Sequence, residues 1–489
     1  MRYASIVRKV AACLMSLSGI IITLLVKSSL PSKEDSIHWE SSRSLALEHV
    51  LTCRVLVGET QFQRIQPDDD EPSFACVPQL DEEEVPFEVL PIPLELPASF
   101  LAQHMEQLLQ GDRKITILGA TLKDQEIEIE RDAVIQLHRQ PRLNFDIPRR
   151  FIFHESVTHP VLVVRVSTLD STPNVTADLL RRTTFANDSV SLRSQFLKCS
   201  AGTVVFAPFS NELVPEILGG VLDIELDLIV SNISRRDLTH QAINYTNILL
   251  GVDNVEDVVD YLMLCLPPGT KEEWLAYAFK RYYLSVYNDV WCAYISATMH
   301  ELGHSAFGFL HSNQYGIIQA DTTGYMGYSY GAQNFPCMCF NAHKNWLGGW
   351  FRDRALQIKL SNPKDVWNGK IAAFVDYHLT TPEEPVVIRV GDLYLQYNRA
   401  KDFNNETMES SNQLVVVQDR PRGSELLASL DGLQFNTTFY MHRNFNENND
   451  TLFIAVCAVL PGDNETFPDF MDITIGNSKI DCSRHWKGT

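Results

Sequence analysis

An α/β central domain between β-rich N-terminal and C-terminal domains is the fold predicted for this 489-residue chain. Two patterns lead to it. Strand-like and helix-like runs alternate from Pro160 onward, the arrangement of a layered α/β structure. Short apolar runs of period two dominate on either side, which is the strand pattern. The expected divisions are a targeting segment at 1–30, a β-rich N-terminal domain at 31–150, an α/β domain at 155–352 and a β-sandwich-like domain at 353–489.

At the start, Arg2, Arg8 and Lys9 precede an apolar run from Val10 to Val26, closed by Lys27. This is a membrane-targeting pattern, either a cleaved signal peptide or an uncleaved signal-anchor. The basic flank lies before the run, so the rest of the chain is expected in the lumen or outside the cell. Ser28 to about Pro72 reads as polar and mixed, with acidic clusters at Asp68–Glu71 and Asp81–Glu84 that suit solvated loops. Lys114–Leu118 and Glu126–Glu130 alternate as half-buried strands. Arg139 to Arg150, with two prolines and four arginines, reads as an exposed linker and processing site.

Val161–Val166, Gly202–Phe206 and Leu222–Leu228 read as strands, with a helical stretch at Ala177–Thr184. Trp291 to Phe307, free of proline and with Gly303 as its one glycine, reads as a helix. Pro385–Val390, Leu393–Tyr397, Gln413–Val417 and Leu452–Val459 read as strands of the C-terminal domain.

The formal net charge of -20 argues against nucleic acid as a partner, since phosphate binding requires a basic surface. Eight Asn-x-Ser/Thr sequons, at Asn174, Asn187, Asn232, Asn244, Asn405, Asn436, Asn449 and Asn464, favour a secretory glycoprotein. Cys13 lies in the apolar run, and nine cysteines remain after it; in an oxidising compartment most should pair, leaving an odd one over.

The chemistry is concentrated in Met299-His-Glu-Leu-Gly-His-Ser-Ala-Phe-Gly-Phe-Leu-His311. On a helix, His300 and His304 share a face and can reach one zinc ion, while Glu301 projects toward the water that the metal activates. Glu301 is the expected general base and acid for peptide hydrolysis. His311 is the candidate third ligand, but seven more helical residues would carry it about 10 Å along the axis from His304. A break near Gly308 is therefore required. Asp321 to Tyr330 contains Met326-Gly-Tyr328, the Met-x-Tyr form of the turn that lies beneath the zinc in metzincins; Tyr328 is a candidate donor to a tetrahedral oxyanion.

With these residues the chain resembles the gametolysin (autolysin) family of metzincin zinc peptidases. The likeness extends over Met263–Gly269, Trp274–Tyr277, Leu284–Asp289, Trp291-Cys292, Met326–Tyr330, Met338–Ala342 and Trp346. It implies a metzincin-like catalytic domain, a twisted sheet plus an active-site helix. The implied activity is zinc-dependent endopeptidase action on extracellular matrix or cell-wall glycoproteins. The chain departs from the family pattern by one residue inserted before Gly308 and by Cys337 beside the expected Cys339. The N-terminal domain is a candidate propeptide, in which Cys53 or Cys76 either places a thiolate on the zinc or pairs with the other in a disulfide. The rival function is a cell-surface binding glycoprotein that keeps the scaffold without efficient catalysis.

Overall fold

The computed structural model describes residues 47–61, 73–79, 91–111, 113–123, 126–138, 156–188, 190–331, 333–362, 364–432, 438–445, 450–463, 465–477 and Cys482. The apolar run Val10–Val26, the acidic clusters, the linker 139–150 and the sequons Asn436, Asn449 and Asn464 lie outside them. Among the described residues no helix is long and apolar enough to cross a membrane.

The chain is a mixed α/β structure rich in sheet. Its first sheet contains β1 (Leu47–Gln61), β2 (Ser73–Pro78), β3 (Ile92–Pro93), β4 (Arg113–Lys123), β5 (Glu126–Leu137), β6 (Val157–Thr168), β7 (Val204–Pro208), β8 (Val221–Leu226), β9 (Tyr261–Leu266), β10 (Ala276–Phe279) and β11 (Leu284–Asn288). Six α-helices are described: α1 (Ala98–Leu109), α2 (Ala177–Phe185), α3 (Leu192–Cys199), α4 (Arg235–Leu250), α5 (Ile295–Phe307) and α6 (Ala342–Gly348). After α5 come β12 (Ser312–Gln314), β13 (Ala355–Ile358), β14 (Val366–Ala372), β15 (Val387–Val390), β16 (Leu393–Asn398), β17 (Gln413–Arg420), β18 (Gly423–Leu430), β19 (Thr438–Phe445), β20 (Asp450–Leu460) and β21 (Phe470–Gly476). A second sheet runs β12-β18-β17-β16-β15-β13 and a third runs β14-β21-β20-β19.

Strand β6 is parallel to β7, β8 and β9, and β9 in turn is parallel to β11. Parallel strands are covered on both faces, so their side chains are apolar in both directions. Val161 and Val163 of β6 join the core beneath α2, α3 and α5, whereas Leu162, Val164 and Val166 join the core beneath α4. Helix starts are fixed locally. The Thr176, Ser191, Ser234 and Asn341 side chains accept the backbone N–H groups of Leu179, Ser194, Asp237 and Lys344, respectively.

Three features differ from the sequence reading. The stretch read as polar, Ser28 to Pro72, contains the fifteen-residue strand β1. Leu51, Cys53, Val55 and Val57 face α1 in their own core, while Leu56 packs into the core shared with α4. The N-terminal strands also continue into the sheet of the α/β region, because Gly58–Gln61 of β1 pair antiparallel with Ala276–Phe279 of β10. The helix begins at Ile295 rather than Trp291; Asp289–Ala293 form a single tight turn in which Cys292 is bonded to Cys265 of β9.

Helix α5 is buried on all sides from Ile295 to Ser305, the pattern of a helix running through a core. Its C-terminal end lies against an aromatic cluster. The Phe196 ring on α3 lies 4.8 Å from Phe206, 5.6 Å from Phe307, 5.7 Å from Phe340 and 6.4 Å from Trp350. Phe196 is fully buried. Phe196→Ala is expected to cost about 3–5 kcal/mol of stability, measured by urea unfolding, through loss of burial and the cavity left behind. A loss below about 1 kcal/mol would show that the cluster does not hold α3 against α5.

Candidate metal centre

His300 and His304 stand one turn apart on α5, their ring centroids 4.8 Å apart. The helix continues through Phe307 and stops at Gly308, whose φ of 67° is left-handed. Gly308 N–H donates to His304 O at 2.9 Å and Phe309 N–H to Gly303 O at 3.0 Å, so the last carbonyls are satisfied as the chain turns back. The residues that lead up to Gly308 are thus all helical. After the turn, the His311 ring lies 5.2 Å from His300 and 5.0 Å from His304. One ligand nitrogen from each of the three residues falls within 4.8 Å of the others.

The ring orientations are fixed by the backbone. A carbonyl only accepts, so His300 Nδ1–H donates to Tyr325 O at 2.6 Å and His304 Nδ1–H donates to Phe309 O at 2.6 Å. That tautomer leaves each Nε2 with a lone pair, the arrangement that metal-binding histidines use. His311 is held from the second sheet and from α6: its carbonyl accepts from Ser424 N–H of β18 at 3.1 Å and from Lys344 Nζ of α6 at 3.2 Å. Gly423, with a φ of 127°, comes so near that a Cβ there would be 2.2 Å from His311 O. Burial holds His300 well below the ordinary histidine range and brings His304 and His311 down to about 3, so all three imidazoles are neutral at pH 7. Burial also lowers Lys344 to about 7.

Glu301 is completely buried, and neither of its carboxylate oxygens has a hydrogen-bond partner among the described residues. Burial first, and then Glu59, raises its carboxyl well above the usual range. The buried Tyr330 hydroxyl, electrostatically coupled to Glu301, likewise has no hydrogen-bond partner among the described residues. Three neutral imidazoles, two of them with tautomers fixed by backbone carbonyls, beside an unpartnered carboxylate are a donor set that fits a divalent metal of the imidazole-binding kind.

Met326 is buried beneath this helix, and its Sδ lies 2.5 Å from where a Cβ on Gly303 would stand. Met326 O accepts from Ser312 N–H at 2.8 Å, which ties the turn to the residue after His311. Tyr328, the expected oxyanion donor, packs on Tyr330 with centroids 5.1 Å apart; it is Tyr330 whose ring lies against His300, at 5.6 Å. The sequence reading also missed Lys344 and Ser424, and it missed Glu59. Glu59 Oε2 on β1 is 2.6 Å from His311 Nε2 and 3.2 Å from His304 Nε2. No local motif marks any of these positions.

Four disulfides are formed: Cys53–Cys76, Cys199–Cys339, Cys265–Cys292 and Cys457–Cys482. Of the alternatives for Cys53 and Cys76 the disulfide is the one observed, so neither offers a thiolate to a metal. Cys337 is a buried free thiol. Of the described sequons, Asn174, Asn187, Asn232 and Asn405 are exposed and Asn244 is half-buried.

No protein-family model matches the chain, and the search of curated proteins also gives no match. The site therefore has to be argued from its own geometry.

Gly303→Ala is expected to force Met326 out of its contact, costing about 1–3 kcal/mol in thermal or urea unfolding. It should also lower metal content, measured by elemental analysis. Unchanged stability and metal content would mean that Met326 does not support the helix.

Proposed function

We propose that the protein is a zinc-dependent endopeptidase of the metzincin type, cleaving extracellular matrix or cell-wall glycoproteins from a secreted or membrane-anchored position. The observation that carries this reading is the convergence of His300, His304 and His311 around the unpartnered carboxylate of Glu301. A structural zinc site is closed by its ligands and has no use for such a carboxylate, whereas a hydrolytic one needs it.

A zinc ion held by the three imidazoles supplies Lewis-acid polarisation of the scissile carbonyl and of the attacking water. The protein residues do the rest. Glu301 accepts a proton from the water as its oxygen bonds to the carbonyl carbon, then returns that proton to the departing amine as the C–N bond breaks. The products are a carboxylate and an amine. Burial raises the Glu301 carboxyl well above the usual carboxylate range, so a proton on it is held more firmly than on an exposed glutamate. Tyr330, lying against His300, is better situated than Tyr328 to donate a hydrogen bond to the developing oxyanion.

The extracellular assignment rests on the targeting pattern of residues 1–30, the sequons and the four disulfides, which persist in oxidising compartments. The substrate class follows from the resemblance to the gametolysin family.

The test compares zinc content and casein cleavage of the secreted, proteolytically processed protein with Glu301→Ala and His304→Ala. Glu301→Ala is expected to retain zinc and lose about 10²–10⁴-fold in activity, and His304→Ala to lose the metal. A processed wild type that holds no zinc, or a Glu301→Ala variant that cleaves as well as wild type, would overturn the proposal.

A further inference from the structure

The group nearest the histidine nitrogens from outside the motif is a carboxylate delivered by the N-terminal region. Glu59 Oε2 lies 2.6 Å from His311 Nε2 and 3.2 Å from His304 Nε2, and the Glu59 side chain is 11% exposed. It reaches that position because β1 adds to the free edge of β10. Strand β10 pairs with β11 along one edge and with Gly58–Gln61 of β1 along the other, Glu59 standing opposite Ala278. Gly58 permits the close crossing, since a Cβ there would be 2.8 Å from the Phe279 ring and from Ser73 Oγ. The contact is fastened nearby by Lys280, whose backbone N–H donates to Val57 O at 2.9 Å and whose Nζ donates to Leu109 O at 2.9 Å.

Charge decides what this carboxylate faces. Two carboxylates, the largely enclosed Glu59 and the fully buried Glu301, share one centre with the His300, His304 and His311 rings. A buried anion without a compensating charge is costly, and a divalent cation among these groups offsets that cost. Three imidazole nitrogens and one carboxylate oxygen also make up a complete four-coordinate set for zinc, whereas a hydrolytic site keeps one position for water or substrate.

We propose that Glu59 is the fourth ligand of the metal centre, an internal carboxylate that closes the site for as long as β1 remains paired with β10. This rests on the reading of His300, His304 and His311 as metal ligands. Latency then comes from a carboxylate on a strand, in place of the Cys53 or Cys76 thiolate, since those two sulfurs are bonded to each other. The edge of β10 becomes available when β1 departs, and an exposed edge strand is a template for an extended peptide.

The test uses the full chain with Co²⁺ in the site, whose visible absorption reports on the ligands. Wild type, Glu59→Ala and the isosteric Glu59→Gln are compared while acetohydroxamate, a small metal-binding probe, is added; far-UV circular dichroism checks the fold. The wild-type spectrum is expected to resist the probe. Both variants are expected to start from a different spectrum and to respond at concentrations at least about ten-fold lower, because no internal ligand competes. Identical spectra and identical probe responses in all three chains would overturn the assignment of Glu59. If wild type takes up no cobalt, the metal centre itself is wrong and this inference falls with it.

Discussion

A helix continuing past Phe307 would carry His311 about 10 Å along its axis from His304, beyond any shared ligand. The left-handed Gly308 prevents this, and the arrangement of the candidate site depends on that reversal. The turn satisfies the last helical carbonyls through the N–H groups of Gly308 and Phe309, and it brings His311 to within ring contact of both helix histidines. Phe309, immediately after the turn, contributes the carbonyl that orients His304. One reversal thus brings in a candidate ligand and fixes the tautomer of another.

The rest of the chain acts on what this turn creates. From below, Met326 fills the space that Gly303 leaves open, and Tyr325 O orients His300. Ser424 from the second sheet and the buried Lys344 from α6 hold the His311 carbonyl, and Ser312 of β12 pairs with Ser424 of β18. From the N-terminal side, β1 brings Glu59 to the nitrogens of His304 and His311. Segments far apart in sequence meet at one centre, and the burial they jointly provide keeps the imidazoles neutral and leaves the Glu301 carboxylate without a partner.

Much of this was legible in local sequence. His300, Glu301 and His304 declare themselves by spacing on a helix, and Gly308 with His311 declares the need for a turn. The strands from Val161, Gln413 and Leu452 declare themselves by apolar runs. What was not legible is long-range. Leu51, Cys53, Val55 and Val57 alternate with Thr52 and Arg54, a strand signal diluted by the polar stretches on either side. Helix α4 went unread because its apolar residues are interspersed with threonine and asparagine, which bury Thr239, Thr246 and Asn247. Glu59, Lys344, Ser424 and Tyr330 belong to no motif, and their roles come from strand pairing and from loops that meet only in the folded chain. Tyr328 was singled out by the Met-x-Tyr form of its segment, but neighbouring backbone turns decide that it is the Tyr330 ring that faces His300.

The central claim is that three imidazoles, two on α5 and one beyond the turn that ends it, hold a single metal ion. X-ray absorption at the zinc edge on the full chain, paired with elemental analysis, tests it most directly. The account predicts one zinc per chain with a shell of three imidazole nitrogens, and loss of one imidazole from that shell in His311→Ala. Absence of zinc, a sulfur-containing shell, or an unchanged shell in His311→Ala would contradict it.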